Sequence, residues 1–140
     1  MTRGTLYLIT DDSFHQSIEF NGDMYPGPRG HGDLAWNMLQ SVRTKEDFDT
    51  KVRFFNEYSL RYTIAPGEAV QDYPLETLRG SLNFRDSYFR PVGVFCWESD
   101  WIFIKNASKQ AYVFTLTDGR PYELRPGRAI RLHFGAFEQY

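Results

Sequence analysis

The sequence predicts an α+β fold, with an antiparallel sheet that carries two main helices on one face. Hydrophobic residues make up 41% and aromatic residues 17% of the 140 residues, which is enough apolar mass for a packed core. Near both ends of the chain, short apolar runs alternate with polar residues, as strands do. Between residues 34 and 62, apolar residues recur at spacings of three and four, as in helices. We therefore expect a single domain over residues 1–140, its sheet built from an N-terminal hairpin and a C-terminal meander.

The N-terminal hairpin is predicted from residues 5–20. Residues 5–10 are rich in β-branched and aromatic side chains, and residues 11–13 supply turn chemistry. In the second strand, alternate residues from Phe14 to Phe20 share one face. Asn21-Gly22 is a strong turn dipeptide and ends the hairpin.

The helices follow a glycine- and proline-rich loop. Asp33 is predicted as the N-cap of a first helix over residues 34–42. Thr44 with Asp47 approximates a capping box for a second helix that ends near Thr63. Its apolar positions include Phe48, Val52 and Phe55, which we expect in the core.

The rest of the chain predicts mostly strands. Pro74 indicates the start of a short helix over residues 75–79. Strands are then predicted at residues 92–98, 101–105, 110–117, 122–124 and 129–134. The turns between them are short, which favours an antiparallel meander that shares one sheet with the hairpin.

Charge and composition narrow the function classes. The formal net charge is −2 and the isoelectric point about 5.9, so nucleic acid is not the expected direct ligand. One cysteine allows no internal disulfide, and the three histidines show no zinc-site spacing, so neither metal nor cofactor is expected. A signal peptide and a long apolar run are both missing, which predicts a cytoplasmic protein without membrane contact.

The sequence predicts no catalytic residues. The acid pair Asp11-Asp12 suits a turn, and Glu46-Asp47 suits the first turn of a helix. Cys96 alternates within an apolar strand, where free cysteine behaves as a small buried hydrophobe, and no Gly-x-Ser-x-Gly motif offers a serine nucleophile. We therefore expect a protein that is not an enzyme.

The C-terminal part predicts a partner-binding surface. Arginine and aromatic residues together are typical of interface hot spots, and the early part of the chain is acidic where the late part is basic. Two alternatives remain open: that the tail packs on its own sheet, or that the stretch stacks single-stranded nucleic acid. The candidate partner-binding residues are Arg125, Arg128, Arg131, His133, Phe137 and Tyr140.

The loop at residues 27–33 offers a rival function. Backbone amides before a helix can bind an anion, and Arg29 and His31 would add positive charge. The candidate anion-binding residues are Arg29, Gly30, His31 and Gly32, as in a small enzyme or nucleotide binder. The alternative is a tight strand-to-helix connection, because the loop lacks the P-loop lysine and Asp33 would repel phosphate.

The run from Ile9 to Asp33 resembles small phage and bacterial proteins with an Asp-Gly-Tyr-Pro-type turn, a Gly-x-Gly and then a helix. This chain has Gly22-Asp23-Met24-Tyr25-Pro26, and then Gly30-His31-Gly32. It departs from the group at Gly22-Asp23, and the later strand pair at 100–104 and 111–114 is also similar. The resemblance implies a phage-encoded protein that binds and modulates a host machine, with RNA polymerase (transcription inhibition) preferred and a CRISPR effector next.

Overall fold

A computed structural model describes residues 2–17, 20, 22–59, 70–74, 81–83, 101–115, 121–133 and 136–139. The described part contains helices and strands in an order that agrees with an α+β fold. In chain order they are β1 (Gly4–Ile9), β2 (Ser13–Ser17), α1 (Gly32–Gln40), α2 (Lys45–Ser59), β3 (Val70–Pro74), β4 (Ser81–Asn83), β5 (Trp101–Asn106), β6 (Tyr112–Thr115), β7 (Pro121–Leu124), β8 (Ala129–His133) and β9 (Ala136–Gln139).

The main sheet has six strands in the order β3-β2-β1-β5-β8-β9. The predicted hairpin is confirmed, since β1 and β2 pair antiparallel with Tyr7 opposite Gln16. Four of the five strand pairs are antiparallel, and only β1 and β5 run parallel. The predicted fold class, α+β with a mainly antiparallel sheet, is therefore confirmed.

The C-terminal strands do not form one continuous meander, and this part of the prediction is wrong. β5 pairs with β1 and β8, whereas β6 pairs with β7 and β4 in a separate three-stranded sheet. The hairpin of β6 and β7 is thus inserted between two adjacent strands of the main sheet. The short turns predicted that each strand would pair with the next one along the chain. Instead, β5 lies in the centre of the main sheet, where it pairs along its length with β1 on one side and β8 on the other.

The first helix begins earlier than predicted. His31, not Asp33, occupies the N-cap position of α1, and no side chain caps it. A Cβ added at Gly32 would lie 2.5 Å from the Met24 carbonyl oxygen, so the helix starts where only glycine fits against the preceding loop. Asp33 therefore lies within the first turn, where a carboxylate is favourable to the helix dipole.

The second helix begins as predicted. The amide of Asp47 donates to Oγ1 of Thr44 at 3.1 Å, and the amide of Arg43 donates to Oδ2 of Asp47 at 3.2 Å. These bonds satisfy amides that a helix start leaves open. Phe48, Val52 and Phe55 are buried, which confirms the predicted core face of α2.

The two helices pack on one face of the main sheet. Phe20 and Phe55 meet edge to face with ring centroids 5.5 Å apart, a favourable aromatic geometry. This packing joins the region after β2 to α2 and buries a single cluster. Its members are Leu6, Leu8, Phe20, Met24, Ala35, Trp36, Leu39, Val42, Phe48, Val52, Phe55, Phe103 and Ala129.

The opposite face of the main sheet is buried as well. Side chains alternate along a strand, so the residues between the helix-facing ones point to this second face. Tyr7 and Phe14 stack there with centroids 5.4 Å apart. The fully buried apolar residues of this face are Tyr7, Ile9, Phe14, Ile102, Ile104 and Ile130.

Four predictions fall outside the described residues. These are the end of the second helix near Thr63, the short helix at 75–79, the strand at 92–98 and the surroundings of Cys96 within it.

Candidate functional site

Three connections meet at one end of the main sheet. They are the β1–β2 turn at residues 10–13, the β5–β6 loop at 106–111 and the β7–β8 turn at 125–128. The end of α1 reaches the same place, because Lys105 contacts both α1 and the β7–β8 turn. This end of the molecule joins segments that are far apart in the sequence.

Asn106 links two of these connections. Its Nδ2 donates to the carbonyl oxygens of Gln110 at 2.9 Å and Leu124 at 3.0 Å, and its Oδ1 accepts from the amide of Ser108 at 2.9 Å. Its backbone accepts from Gly127 at 2.7 Å and donates to the carbonyl of Arg128 at 2.8 Å. Asn106 is completely buried, so each bond replaces water that the group has lost.

Lys105 joins the helix layer to the same turn. Its Nζ donates to the carbonyl oxygen of Gln40, the last residue of α1, at 2.9 Å, and to that of Gly127 at 3.0 Å. Burial lowers the pKa of Lys105, and the nearby charge of Arg43 lowers it further. The ammonium at the C-terminal end of α1 also complements the helix dipole.

Asp11 connects the β1–β2 turn to the β5–β6 loop. Its Oδ1 accepts from the amide of Lys109 at 2.7 Å and from the hydroxyl of Ser108 at 2.8 Å. The amide bond and the hydroxyl bond lower the pKa of Asp11. The exposed carboxylate of Asp11 is thus hydrogen bonded to two residues of the β5–β6 loop.

Four cations lie on the turns and loops next to this hydrogen-bonded centre, and we call them the basic rim: Arg43, Lys109, Arg125 and Arg128. All four are exposed. Within the described part of the chain, none of their side-chain cations forms an ion pair or hydrogen bond, in contrast to Arg53 and Lys51, which pair with acids of α2. The acids nearest along the chain to these connections are Asp11, Asp12 and Glu123.

The pKa of Tyr122 is affected by two arginines of the basic rim. Burial raises the pKa of Tyr122, while Arg125 and Arg128 act in the opposite sense. The two guanidinium groups therefore lie close enough to the phenol for their positive potential to act on it.

The predicted binding residues separate into two groups in the fold. Arg125 and Arg128 lie in the basic rim. Arg131 lies on the helix-facing side of β8, where its side chain is 12% exposed and its Nη1 is 3.5 Å from Oδ1 of Asp33. Among the described residues, acids of the early sequence thus lie beside bases of the late sequence, as Asp33 does beside Arg131 and Asp11 beside Lys109.

The C-terminal tail adds a strand to the main sheet. Residues 136–139 form β9, in which Phe137 is opposite Leu132 and Ala136 is opposite His133. The backbone of this tail thus packs on its own sheet, one of the two alternatives for it. Tyr140 lies outside the described residues.

Backbone amides of the loop at 27–33 form hydrogen bonds to carbonyl oxygens of residues 23–27. Those of Gly30, His31 and Gly32 donate to the carbonyl oxygens of Gly27, Asp23 and Tyr25, at 3.2, 2.7 and 3.1 Å. A Cβ at Gly30 would lie 1.9 Å from the Tyr25 oxygen, so the glycines serve close packing of the loop. The strand-to-helix connection accounts for this geometry, and the amides considered for an anion are already hydrogen bonded.

Other chemical sites have little support within the described ranges. Among those residues, no group of three or more histidine, cysteine, aspartate or glutamate side chains could hold a metal ion. The buried ring of His15 lies 3.4 Å from Oγ1 of Thr10, which also bonds within the β1–β2 turn.

Among the described residues, no helix is both long and apolar enough to span a membrane.

Comparison of the chain with protein-family models, curated proteins and solved structures finds no match.

Sequence reasoning found half of the basic rim and missed the other half. Arg125 and Arg128 were predicted because arginines outnumber acids in the C-terminal stretch, whereas Arg43 and Lys109 lie on other loops outside that stretch. Two signals were available for the centre: Lys105 interrupts an apolar strand, and Asn106 ends it. Buried polar residues at such positions require partners, which indicates a junction between segments.

Proposed function

We propose that this chain is a non-enzymatic, phage-encoded binding protein that docks on an acidic surface of a host macromolecular machine through the basic rim. The observation that carries the proposal is a set of four exposed cations that form no ion pair among the described residues and lie around one hydrogen-bonded centre. Exposed charges of this kind steer association and select partners of opposite potential.

The geometry of the rim favours binding over catalysis. Its cations surround a centre whose polar groups are occupied by one another, since Asn106 and Lys105 donate to backbone carbonyls. Such a centre fixes the positions of surrounding loops and leaves the cations to meet a partner. Preorganised loops lower the entropy lost on association.

RNA polymerase is the first partner to test, and a CRISPR effector is the second. The experiment measures binding of the full chain to immobilised bacterial RNA polymerase and, separately, to a purified CRISPR effector complex. The informative variant is Arg125→Glu with Arg128→Glu, which reverses charge at the β7–β8 turn. We expect binding to one of the two assemblies, weakened at least about tenfold in the variant.

The control is Arg29→Glu, which reverses one charge at an exposed site in the 27–33 loop and is matched by Arg128→Glu alone at the β7–β8 turn. It should leave binding nearly unchanged. If neither assembly binds the chain, or if both variants weaken binding equally, the rim is not the docking surface. Loss of binding only in Arg29→Glu would instead favour the loop, and thermal-shift screening of that loop with nucleotides would then follow.

A further inference from the structure

We propose that Asp11 is a positioning residue for the basic rim, holding Lys109 and the β5–β6 loop in place beside the β7–β8 turn. The inference rests on the proposed function for what the rim binds. Asp11 is itself acidic, so its charge alone would weaken the binding of an acidic partner to the rim.

The bonds to Asp11 complete a chain of contacts across the rim. Asp11 accepts from Ser108 and Lys109, and the Ser108 hydroxyl oxygen accepts from the amide of Gln110 at 2.9 Å. Asn106 then bonds Ser108 and Gln110 on one side and the β7–β8 turn on the other. Two of the rim's loops are therefore held relative to each other, and Asp11 fixes the outer end of this network.

Lys109 is the rim residue that depends most directly on Asp11. Its amide is 2.7 Å from Oδ1, whereas its side-chain cation is exposed. The backbone bond fixes where the side chain leaves the surface without using its charge. A carboxylate accepting from an amide forms a stronger bond than a neutral acceptor would.

Asp12 provides a matched comparison. It neighbours Asp11 in the same turn and is also exposed, but its Oδ1 accepts only from Thr10 Oγ1, at 3.1 Å, in the bonds seen among the described residues. Removing either carboxylate removes one negative charge from the surroundings of the rim. Coulomb's law alone predicts tighter binding of an anion in both variants.

Positioning predicts opposite signs for the two substitutions. The experiment measures the dissociation constant of the full chain for poly-L-glutamate, an acidic polypeptide probe, at constant pH and salt. We expect Asp12→Ala to bind somewhat more tightly, and Asp11→Ala to bind roughly 3-fold more weakly. Asp11→Asn, which keeps an oxygen acceptor, should recover part of the loss. Tighter binding by Asp11→Ala as well as Asp12→Ala would overturn the proposal.

A second measurement separates this inference from the proposed function. The hydrogen-exchange rates of the Lys109 and Ser108 amides are measured by NMR at constant pH in the unliganded chain. We expect Asp11→Ala to speed exchange at Lys109, and Asp12→Ala to leave it unchanged.

Each result assigns the failure to one of the two proposals. If poly-L-glutamate does not bind the wild-type chain but Lys109 exchange responds to Asp11→Ala, the proposed function loses support and the positioning contact stands. If Lys109 exchange is the same in wild type and Asp11→Ala, Asp11 does not position the loop, whatever the rim binds.

Discussion

The Nζ of Lys105 lies 2.9 Å from the carbonyl oxygen of Gln40, the residue that ends α1. A lysine from the middle of the sheet thus supplies the positive charge that the last turn of α1 lacks. The same ammonium bonds Gly127, so one side chain ties the helix layer to a turn that carries two of the rim's arginines. Stability and the candidate binding site therefore share a residue.

Replacing Lys105 by Met should destabilise the protein by about 1–3 kcal/mol, because the carbonyls of Gln40 and Gly127 lose their donor while remaining partly buried. Chemical denaturation at neutral pH measures the change in the free energy of unfolding. Lys109→Met, at an exposed site four residues later, should stay within about 0.5 kcal/mol. Equal effects of the two substitutions would show that the two hydrogen bonds add nothing.

Substitutions at Asn106 provide a second test of the hydrogen-bonded centre. Asn106→Asp keeps the shape of the side chain but replaces the donor to Gln110 and Leu124 with a carboxylate oxygen. A buried charge would then face two carbonyl oxygens, so we expect a loss of at least about 3 kcal/mol at neutral pH, larger than for Asn106→Ala. Thermal and urea unfolding of both variants decide the order. A smaller loss for Asn106→Asp would contradict the donor role.

Much of the fold was predictable because its signals are local. The period of Phe48, Val52 and Phe55 indicates a helix face whatever the rest of the chain does, and the turn at residues 11–13 indicates a hairpin. The split of the C-terminal strands was not predictable in this way. It depends on β1 and β5 lying side by side, a parallel pairing between segments separated by the whole helical region.

The candidate site was less predictable for the same reason. Arg43 and Lys109 join Arg125 and Arg128 only through long-range contacts of Lys105, Asn106 and Asp11. The start of α1 shows a different difficulty. Asp33 has the chemistry of an N-cap, but close packing of Gly32 against the preceding loop moves the start of the helix toward the N-terminus.

The 23–32 loop should be intolerant of a side chain at Gly30. A Cβ there would overlap the carbonyl of Tyr25, and the backbone would have to move. We expect Gly30→Ala to cost about 3 kcal/mol in stability. Gly127→Ala is the comparison, since its Cβ would meet open space and only its φ of 78° is unfavourable, at a cost of about 1 kcal/mol. Circular dichroism melts of both variants test the order.

Two adjacent phenylalanines of α2 should differ strongly. Phe55 is 4% exposed in the core, whereas Phe54 is 65% exposed. Phe55→Ala should destabilise the protein by about 3–5 kcal/mol through lost burial and a cavity, and Phe54→Ala by less than about 1 kcal/mol. Urea titrations of the two variants provide the measurement. Similar losses would mean that α2 is rotated relative to the structure described.

Asp11 should make stability depend on acid pH. Its hydrogen bonds lower its pKa in the folded chain below the ordinary value of 3.8, so the unfolded chain binds the proton more readily. The stability that these bonds contribute is therefore complete above pH 3.8 and is lost as the pH falls through the lower, folded-state pKa. Asp11→Asn cannot titrate, and the difference in unfolding free energy between wild type and this variant should shrink steadily over that acid range. Denaturation curves at several pH values measure it, with Asp12→Asn as the comparison. A difference that grows with acidification would mean that the Asp11 carboxylate is not stabilised by Lys109 and Ser108 in the folded state.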